Sequence, residues 1–269
     1  MLEIFQYGFM QRALVAGVMI AIVCSAIGTF IVLKRLSMIG DGLSHIALGG
    51  VALGLFLNVY PVLSALVFSV LSAVGINRLR GAKIFGDLAI AIFFSAGLAV
   101  AVVLLSLARG FTVDLFSYLF GSILTVNETD LEVMLGMGIF TLAAVVIFYK
   151  ELFYITFDEV AAKASGIPVE KLNTLLVVLT AITVVVSLKI VGILLVSSLL
   201  VVPVATSLQI ARNFRETILS SMVFAIFSVV AGLIFSFYFN LAAGGAIVFT
   251  SVITFSIVMI YKKSRRKVY

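Results

Sequence analysis

Long apolar runs, separated by short polar stretches, make up almost the whole of this chain of 269 residues. The runs are continuous and do not alternate with polar residues, which favours membrane-spanning helices over a transmembrane β-barrel. The second and seventh runs are short for a bilayer, which needs about 20 residues, and the second begins in a Gly- and Ser-rich stretch. The pattern predicts an all-α polytopic membrane protein with about nine transmembrane helices, some short or broken, at roughly 11–33, 43–57, 60–77, 87–108, 131–149, 171–188, 190–206, 217–237 and 242–261.

The composition agrees with this fold class. Apolar residues make up 63% of the chain and charged residues 11%, and the mean hydropathy is +1.31, a balance that soluble domains do not have. No stretch between the spans is long enough to fold on its own, so we expect a single membrane domain covering residues 1–269. The expected location is the plasma or inner membrane, with lipid around the spans.

The positions of the basic residues predict the orientation. With the C-terminal run of Lys and Arg in the cytoplasm, nine spans place the N-terminus outside, and most of the 18 basic residues then lie in cytoplasmic segments, as the positive-inside rule requires. Because these cations flank membrane spans, the net charge of +6 does not indicate a nucleic-acid partner. The largest outside segment, 109–130, contains Asp114, Glu128 and Asp130, and we expect these acids to be solvated in preference to a docking role.

Asp41 and His45, the single histidine of the chain, are the candidate functional residues. A spacing of four places both side chains on one helix face, and Ser37 and Ser44 extend the same polar stripe as possible lining of a path. Ionisable groups at membrane depth are costly and usually face a cavity, a partner or a transported ion. A carboxylate and an imidazole are also ligands for divalent transition metals. From the residues alone, metal contact and a structural Asp–His hydrogen bond that ties helices together are equally good explanations.

Residues 150–170 form the longest segment on the predicted cytoplasmic side, and the pattern within 156–168 predicts a short helix. Thr156 or Asp158 can cap its start, Gly166 suits its C-terminal end, and Pro168 follows. A short helix rich in alanine buries little surface on its own. It therefore lies either on the bilayer surface or against a partner, and the residues do not decide between the two.

Signals of enzymatic activity are weak. The chain has no Gly-x-x-x-x-Gly-Lys-[Ser/Thr] phosphate loop, no cysteine cluster and no His-Glu-x-x-His motif. We expect no catalytic site, and if the protein moves a solute uphill with ATP, the ATPase is another chain. A secondary transporter or channel that needs no ATP is an alternative, because intramembrane Asp and His also serve in proton relays. A membrane enzyme with Asp41 and His45 in acid–base roles ranks lower, because no nucleophile or second carboxylate is nearby.

Five segments spread along nearly the whole chain form a recognisable set. Two of them are quite specific together, namely 32–45 (VLKRLSMIGDGLSH) and 190–206 (IVGILLVSSLLVVPVAT). The others are 86–95 (GDLAIAIFFS), 157–167 with Phe-Asp-Glu at its start and Gly-Ile at its end, and 236–241 (SFYFNL). The set resembles the membrane permease subunit of ABC importers for divalent metals, the zinc, manganese and iron uptake type. One departure is 242–246 (AAGGA), because many relatives have Pro and Thr after the preceding Asn-Leu.

The resemblance implies several partners. Two permease copies would form the translocation path as a homodimer, two cytoplasmic ATP-binding subunits would drive it, and an extracytoplasmic metal-binding protein would deliver the metal. Asp41 and His45 match the family's Asp-x-x-x-His element, so the resemblance favours their contact with the metal. The segment at 150–170 would be the helix that couples the permease to the ATPase, and the residues expected at that contact are Asp158, Glu159, Ala161, Ala164 and Gly166.

The expected function is therefore that of a permease subunit of an ATP-driven importer. Its substrate would be a divalent metal ion, zinc, manganese or iron, and we expect no cofactor to be bound by the fold itself. A cobalamin or iron-chelate permease is the alternative within the same superfamily, although a carboxylate and an imidazole favour a bare ion over a large chelate. One carboxylate and one imidazole from each of two copies would hold the ion well enough to remove its water, yet weakly enough to release it.

Overall fold

The computed structural model describes residues 7–81, 86–107, 113–122 and 126–266. Twelve α-helices lie in these ranges, and no strand does. The helices are α1 (Gly8–Leu33), α2 (Ile39–Leu57), α3 (Pro61–Gly81), α4 (Gly86–Leu107), α5 (Val113–Phe120), α6 (Glu128–Ile147), α7 (Tyr149–Phe157), α8 (Glu159–Ala164), α9 (Val169–Val191), α10 (Val196–Ser207), α11 (Phe214–Phe239) and α12 (Ala243–Arg266).

Eight helices within the described ranges are long and apolar enough to cross a membrane, namely α1, α2, α3, α4, α6, α9, α11 and α12. The predicted all-α polytopic fold is therefore confirmed. Two boundaries differ from the prediction. The second span starts at Ile39 and not at residue 43, because the Gly-rich stretch is buried and helical, which gives α2 19 residues. The seventh span is shorter than predicted. Helix α9 runs on to Val191 and ends before Gly192, and α10 has only 12 residues.

Side-chain contacts identify the two ends of the helical bundle. At one end, which we call the Lys34 end, Lys34 follows α1 and contacts Glu159 of α8. At the opposite end, which we call the Lys189 end, Lys189 near the end of α9 contacts Asp130 at the start of α6. Long helices run between the two ends, so each of these ion pairs joins segments that are far apart in the sequence.

Residues 192–213 carry the chain from the Lys189 end back to the Lys34 end. They follow the end of α9, and they lead to Phe214, whose ring packs 5.3 Å from that of Phe30 near the C-terminal end of α1. Over the described ranges, the chain thus passes between the two ends nine times, eight times as a long helix and once through α10 with its non-helical flanks. An odd number agrees with the predicted placement of the termini on opposite sides, and the side that faces the cytoplasm stays a prediction.

Small residues let α2 approach its neighbours closely. A Cβ atom on Gly50 would come within 2.5 Å of the Cα atom of Ala65 in α3, and one on Gly97 of α4 would come within 2.6 Å of the Cα atom of Ile46. Without lipid between them, helices at this distance gain dense van der Waals contact. These contacts pack α2 against both α3 and α4, and they leave the side of α2 with Asp41 and His45 partly open.

Asp130 is buried at the Lys189 end, and the expectation that it is solvated is therefore wrong. Its carboxylate accepts a hydrogen bond from Lys189 at 2.5 Å. The reason lies in the start of α6, where Asn127 caps the helix by accepting from the N–H of Asp130, while the carboxylate accepts from the N–H of Asn127. This capping box turns Asp130 inward. Glu128 is exposed, as expected, and the side chain of Asp114 lies outside the described part of the structure.

Three glycines interlock at the Lys189 end. Gly121 after α5 and Gly192 after α9 have φ angles of +74° and +86°, a region that other residues rarely adopt. A Cβ atom on Gly192 would come within 2.5 Å of the backbone nitrogen of Gly121, and one on Gly244 in the first turn of α12 would come within 1.8 Å of the carbonyl oxygen of Val191. Only glycine lets these three chain segments pack so closely.

The predicted insert at 150–170 forms two short helices and not one. Helix α7 follows α6 after a break at Phe148, and α8 begins after Asp158, whose side chain accepts from the N–H of Ala161 at 2.8 Å. Asp158 is therefore the cap, whereas Thr156 lies inside α7 and donates to the carbonyl oxygen of Leu152. Gly166 has a φ of +81° and ends this segment, as its sequence pattern predicts.

Candidate functional site

A tight turn positions the start of α2. Arg35 adopts the left-handed region with φ +58°, and the N–H of Leu36 donates back to the carbonyl oxygen of Ile31 at 2.9 Å. The N–H of Ile39 then donates to the carbonyl oxygen of Leu36, also at 2.9 Å. Asp41 falls in the first turn of α2, where a carboxylate interacts favourably with the positive end of the helix dipole.

The contacts of α2 show how deep this region lies. His45 and Ile46 lie beside Gly97, which is near the middle of α4, so that His45 is level with the middle of that membrane-spanning helix. Gly40 lies against Ser197 in the first turn of α10. The start of α2 is thus inset from the Lys34 end, and both candidate residues lie within the apolar part of the bundle.

Asp41 and His45 face each other across one turn of α2. The Nε2 atom of His45 lies 3.9 Å from an oxygen of Asp41, which is longer than a hydrogen bond. The side chain of His45 is 16% exposed, and that of Asp41 is 35% exposed. The imidazole packs against the ring of Phe94 in α4 at 4.4 Å, and its Nδ1 atom is buried without a protein hydrogen-bond partner. Both residues are on the same helix, so the pair does not tie two helices together.

The two serines of the predicted polar stripe lie in different surroundings. Ser44 is fully buried, and its hydroxyl donates to the carbonyl oxygen of Asp41 at 2.8 Å. Ser37 lies in the turn before α2 and is half-buried. The geometry therefore favours Ser37 over Ser44 as a residue that lines a path beside Asp41 and His45.

One copy of the chain offers an incomplete metal site. Within the part of the chain that the structure describes, no group of three or more His, Cys, Asp and Glu side chains could hold a metal ion. Asp41 and His45 supply one carboxylate and one imidazole, donor types that suit zinc and manganese, but four ligands are usual even for zinc. The thiol of Cys24 lies elsewhere, in contact with Ser187. A metal ion at this pair would therefore need ligands in addition to Asp41 and His45.

The segment expected at the ATPase, 158–166, is largely exposed at the Lys34 end. Asp158, Glu159, Ala161, Ala164 and Gly166 all present surface, whereas Ala162 is buried and anchors α8. Next to α8 lies a groove of about 770 Å³ whose lining includes the basic side chains of α3 and α8 and the acids of α8 and α9, namely Arg78, Arg80, Lys163, Glu159 and Glu170. The exposed helix α8 is therefore flanked by a charged groove.

An ion pair holds α8 to the end of α1. The Nζ atom of Lys34 donates to Glu159 at 2.5 Å and to the carbonyl oxygen of Ile155 at 2.7 Å. Burial raises the pKa of Glu159, but the hydrogen bond and the charge of Lys34 lower it by more, so that its pKa falls below the ordinary value of 4.5. Burial lowers the pKa of Lys34, and Glu159 offsets this only in part. Sequence reasoning missed this pair, because 125 positions separate its members.

A second cluster that the sequence did not reveal lies at the Lys189 end. The hydroxyl of Tyr60, between α2 and α3, donates to Asp130 at 2.5 Å, and Lys189 donates to the other carboxylate oxygen. Beside this cluster is a cavity of about 410 Å³ lined by Asn58, Tyr60, Tyr118 and Lys189, among other residues. Lys189 in an apolar run was the one available signal, because a lysine at that depth requires a partner.

Known proteins are similar to this chain over most of their length. The model of the ABC 3 transport family matches residues 6–262. The manganese transport system membrane protein MntC of Halalkalibacterium halodurans is 34% identical over 260 residues, which cover 96% of this chain and 89% of that protein. The high-affinity zinc uptake system membrane protein ZnuB of Haemophilus influenzae is 34% identical over 255 residues, 94% of this chain and 97% of that protein.

A solved structure is similar over the same range. A chain of PsaBC from Streptococcus pneumoniae, determined in complex with Fab, superposes with a TM-score of 0.85 at 37% sequence identity. The match covers 95% of this chain and 92% of that chain. The whole described bundle, with both its ends, therefore has a counterpart of known structure.

Proposed function

This chain belongs to the ABC 3 transport family, and on that premise we propose that it carries a divalent metal ion, manganese or zinc, through an ATP-driven importer. The chain is a multi-pass protein of the cell membrane and a permease subunit of the ABC type, not an enzyme. The observation that carries the metal proposal is the pair formed by Asp41 and His45, a carboxylate and an imidazole 3.9 Å apart among apolar helices.

The chemistry of the pair suits a transported ion. A buried Nδ1 atom without a partner is costly for a histidine that has only a structural role. The carboxylate and the imidazole replace part of the water around an arriving ion, and a transport site has to bind the ion weakly enough to release it again. The metal is thus the substrate of the protein, held for a moment and passed on.

A second copy of the chain completes the site in this proposal. Because one chain supplies two ligands, two copies supply two carboxylates and two imidazoles, a suitable set for zinc and, with added water, for manganese. The side of α2 with Asp41 and His45 is partly open in one chain, as are Ser197 and Ser198 of α10 near it. A homodimer that meets along this side would bury both pairs beside each other.

The remaining partners follow from the two ends of the bundle. We place the Lys34 end in the cytoplasm, because the basic residues concentrate there. Two ATP-binding subunits would dock on α8, where Asp158, Glu159, Ala161, Ala164 and Gly166 are exposed. The sequence has no phosphate loop of its own, so ATP hydrolysis belongs to these separate subunits. An extracytoplasmic metal-binding protein would deliver the ion at the Lys189 end.

Uptake of radioactive manganese and zinc tests the metal proposal. Asp41→Asn and His45→Ala should each reduce uptake at least about tenfold, because each removes one ligand. Glu128→Gln is the matched control, since it removes an exposed acid at the other end of the bundle. The membranes should contain equal amounts of each variant in complex with the ATPase. Uptake that stays normal in both single variants would show that the pair has a structural role only.

Reconstitution separates the importer from a secondary transporter. Liposomes with the permease and its ATPase should accumulate metal when ATP is present, and liposomes with the permease alone should not. Uphill uptake by the permease alone, driven by a proton gradient, would overturn the proposal. In that case Asp41 and His45 would act as a proton relay.

A further inference from the structure

Lys34 is a buried charge that the proposed function does not use. Its side chain is almost fully buried at the Lys34 end, and its Nζ atom has two protein acceptors, Glu159 at 2.5 Å and the carbonyl oxygen of Ile155 at 2.7 Å. Both acceptors belong to the α7–α8 segment. Lys34 itself follows α1 directly and precedes Asp41 by seven positions. The same side chain therefore connects the exposed docking segment with the stretch of chain that leads to the candidate metal ligands.

The connection from Lys34 to Asp41 is short and well ordered by hydrogen bonds. The N–H of Lys34 donates to the carbonyl oxygen of Phe30 at 3.0 Å, and the N–H groups of Leu36 and Ile39 continue the turn with bonds of 2.9 Å. Leu36 and Ile39 are also buried and packed in the core. A displacement of Lys34 is thus passed to the first turn of α2, because little slack remains between them.

The connection from Lys34 to the docking surface is equally direct. Glu159 is the first residue of α8, and it also accepts a hydrogen bond from Asn173 of α9 at 3.3 Å. The next residue, Val160, is strongly exposed and has no core to hold it. A partner that moves α8 would move Glu159 with it. Lys34 can then either follow or lose its partner while still buried, and an unpaired buried charge is costly.

We propose that Lys34 is a positioning residue that transmits movement of α8 to the turn before α2 and so to Asp41. This inference rests on the proposed function, in which an ATPase docks on α8 and a metal binds at Asp41. When the ATPase moves α8, Glu159 pulls Lys34 along, and the start of α2 shifts. The affinity of the metal site thereby changes in step with ATP hydrolysis. Lys34 touches neither metal nor ATP, and it acts through the residues that do.

The amount of metal transported per ATP hydrolysed tests this role in the full complex in liposomes. Lys34→Met keeps the length of the buried stem but cannot donate, so it should lower this ratio by about tenfold, a typical coupling effect. ATP hydrolysis and assembly of the complex should change little. Lys34→Arg keeps the charge and the donors and should restore most of the ratio. Lys171→Met is the matched control, because it removes an exposed lysine from the start of α9, at the same end of the bundle but outside the docking segment.

A distance measurement shows the transmission itself. Spin labels at Met38→Cys and Val160→Cys, both exposed positions, in a Cys24→Ala background report the distance between the turn and α8. With Lys34 present, ATP should leave this distance unchanged, because both segments move together. With Lys34→Met, ATP should change it. If Lys34→Met does not fold, Glu159→Gln replaces it in both measurements. This variant weakens the same contact, and it changes the exposed partner of the pair.

The outcomes are distinct. The positioning role is overturned if Lys34→Met transports the normal amount of metal per ATP, or if Glu159→Gln does so where it replaces that variant. It is also overturned if the distance between the two labels responds to ATP equally with and without Lys34. Failure of the proposed function gives another result, because the unaltered complex would then move no manganese or zinc at all. A lowered ratio that Lys34→Arg restores, together with the loss of concerted movement, supports the proposal.

Discussion

The two ends of the helical bundle are each held by a lysine–carboxylate pair with a contact of 2.5 Å, yet the surroundings of the two pairs differ. At the Lys189 end both partners are buried, since the side chains of Asp130 and Lys189 are 1% and 13% exposed. At the Lys34 end only the lysine is buried, and Glu159 is 49% exposed, against 5% for Lys34. One pair is enclosed by helices, and the other presents its acid on a surface.

The backbone is also more closely packed at the Lys189 end than at the Lys34 end. At the Lys189 end, Gly121, Gly192 and Gly244 are packed so closely that a Cβ atom on any of them would overlap another segment. At the Lys34 end, Gly166 also has a positive φ, but a Cβ atom there would meet nothing within 4 Å. The Lys189 end is thus a tightly closed frame, and the Lys34 end carries a segment with room to move. This difference agrees with the proposal that the ATPase docks at the Lys34 end.

Asp130→Ala should have the largest effect on stability. It leaves Lys189 buried without its partner, which costs roughly 3–5 kcal/mol in the free energy of unfolding. Far-UV circular dichroism in detergent is the suitable measurement, because the chain has no tryptophan. Glu128→Ala, at an exposed acid in the same turn of α6, should stay within about 0.5 kcal/mol. Equal effects of the two variants would contradict the distinction between an enclosed and an open charge.

Glycine substitutions should come next, and they compare the backbone of the two ends. Gly192→Ala adds a Cβ atom to a crowded position with φ +86°, so we expect a loss of about 2–4 kcal/mol from strain and overpacking. Gly166→Ala adds the same atom in open space and should cost only about 1 kcal/mol, from backbone strain alone. Thermal unfolding of both variants checks this order. A Gly166→Ala variant as unstable as Gly192→Ala would mean that the Lys34 end is packed more tightly than the structure indicates.

Glu159→Gln should have a smaller effect on stability than either of these changes. Lys34 keeps the carbonyl oxygen of Ile155, and the exposed side of the pair lets water approach, so the loss should be about 1 kcal/mol or less. Far-UV circular dichroism again gives the free energy of unfolding. A loss as large as that of Asp130→Ala would show that the pair at the Lys34 end is as enclosed as the other. Transport should respond much more than stability does, if Lys34 transmits movement.

Acidification should give the smallest effect. The pKa of Glu159 is lowered in the folded protein, so the contribution of this carboxylate to stability is complete above its ordinary value of 4.5. The contribution is lost as the pH falls from there through the lowered pKa. The difference in unfolding free energy between the unaltered chain and Glu159→Gln should therefore shrink over that range. A difference that grows on acidification would contradict the direction of the shift.

Local sequence signals predicted the helices well. Continuous apolar runs gave the positions of the long spans, and the capping role of Asp158 and the helix-ending role of Gly166 followed from their residue types. The start of α2 was missed, because glycines and an aspartate are poor helix formers in isolation and only burial between α3 and α4 makes them helical. Local preference and tertiary contact disagreed at this place.

The pairing of charges could not be predicted in the same way. Asp130 and Lys189 are 59 positions apart, and Lys34 and Glu159 are 125 apart, so only the packing of the helices brings them together. The sequence suggested that Asp130 was solvated, since it lies in the segment 109–130 between two predicted spans. Asp41 and His45 were found because they are close in sequence and share one helix. Their additional ligands, which the proposal assigns to a second copy, are beyond the reach of one chain.

The shortness of α10 has a consequence for the biogenesis of this protein. A helix of 12 residues is too short to span a bilayer alone, and the turn before it relies on α5, because the N–H groups of Ile193 and Leu194 donate to the carbonyl oxygens of Tyr118 and Leu119. α10 packs against α1 and α2, but also against α11 and α12, which are synthesised later. Membrane insertion therefore cannot proceed strictly in chain order. The seventh passage, α10 with its flanks, has to remain at the membrane surface until α11 and α12 have emerged, and the bundle then closes around it.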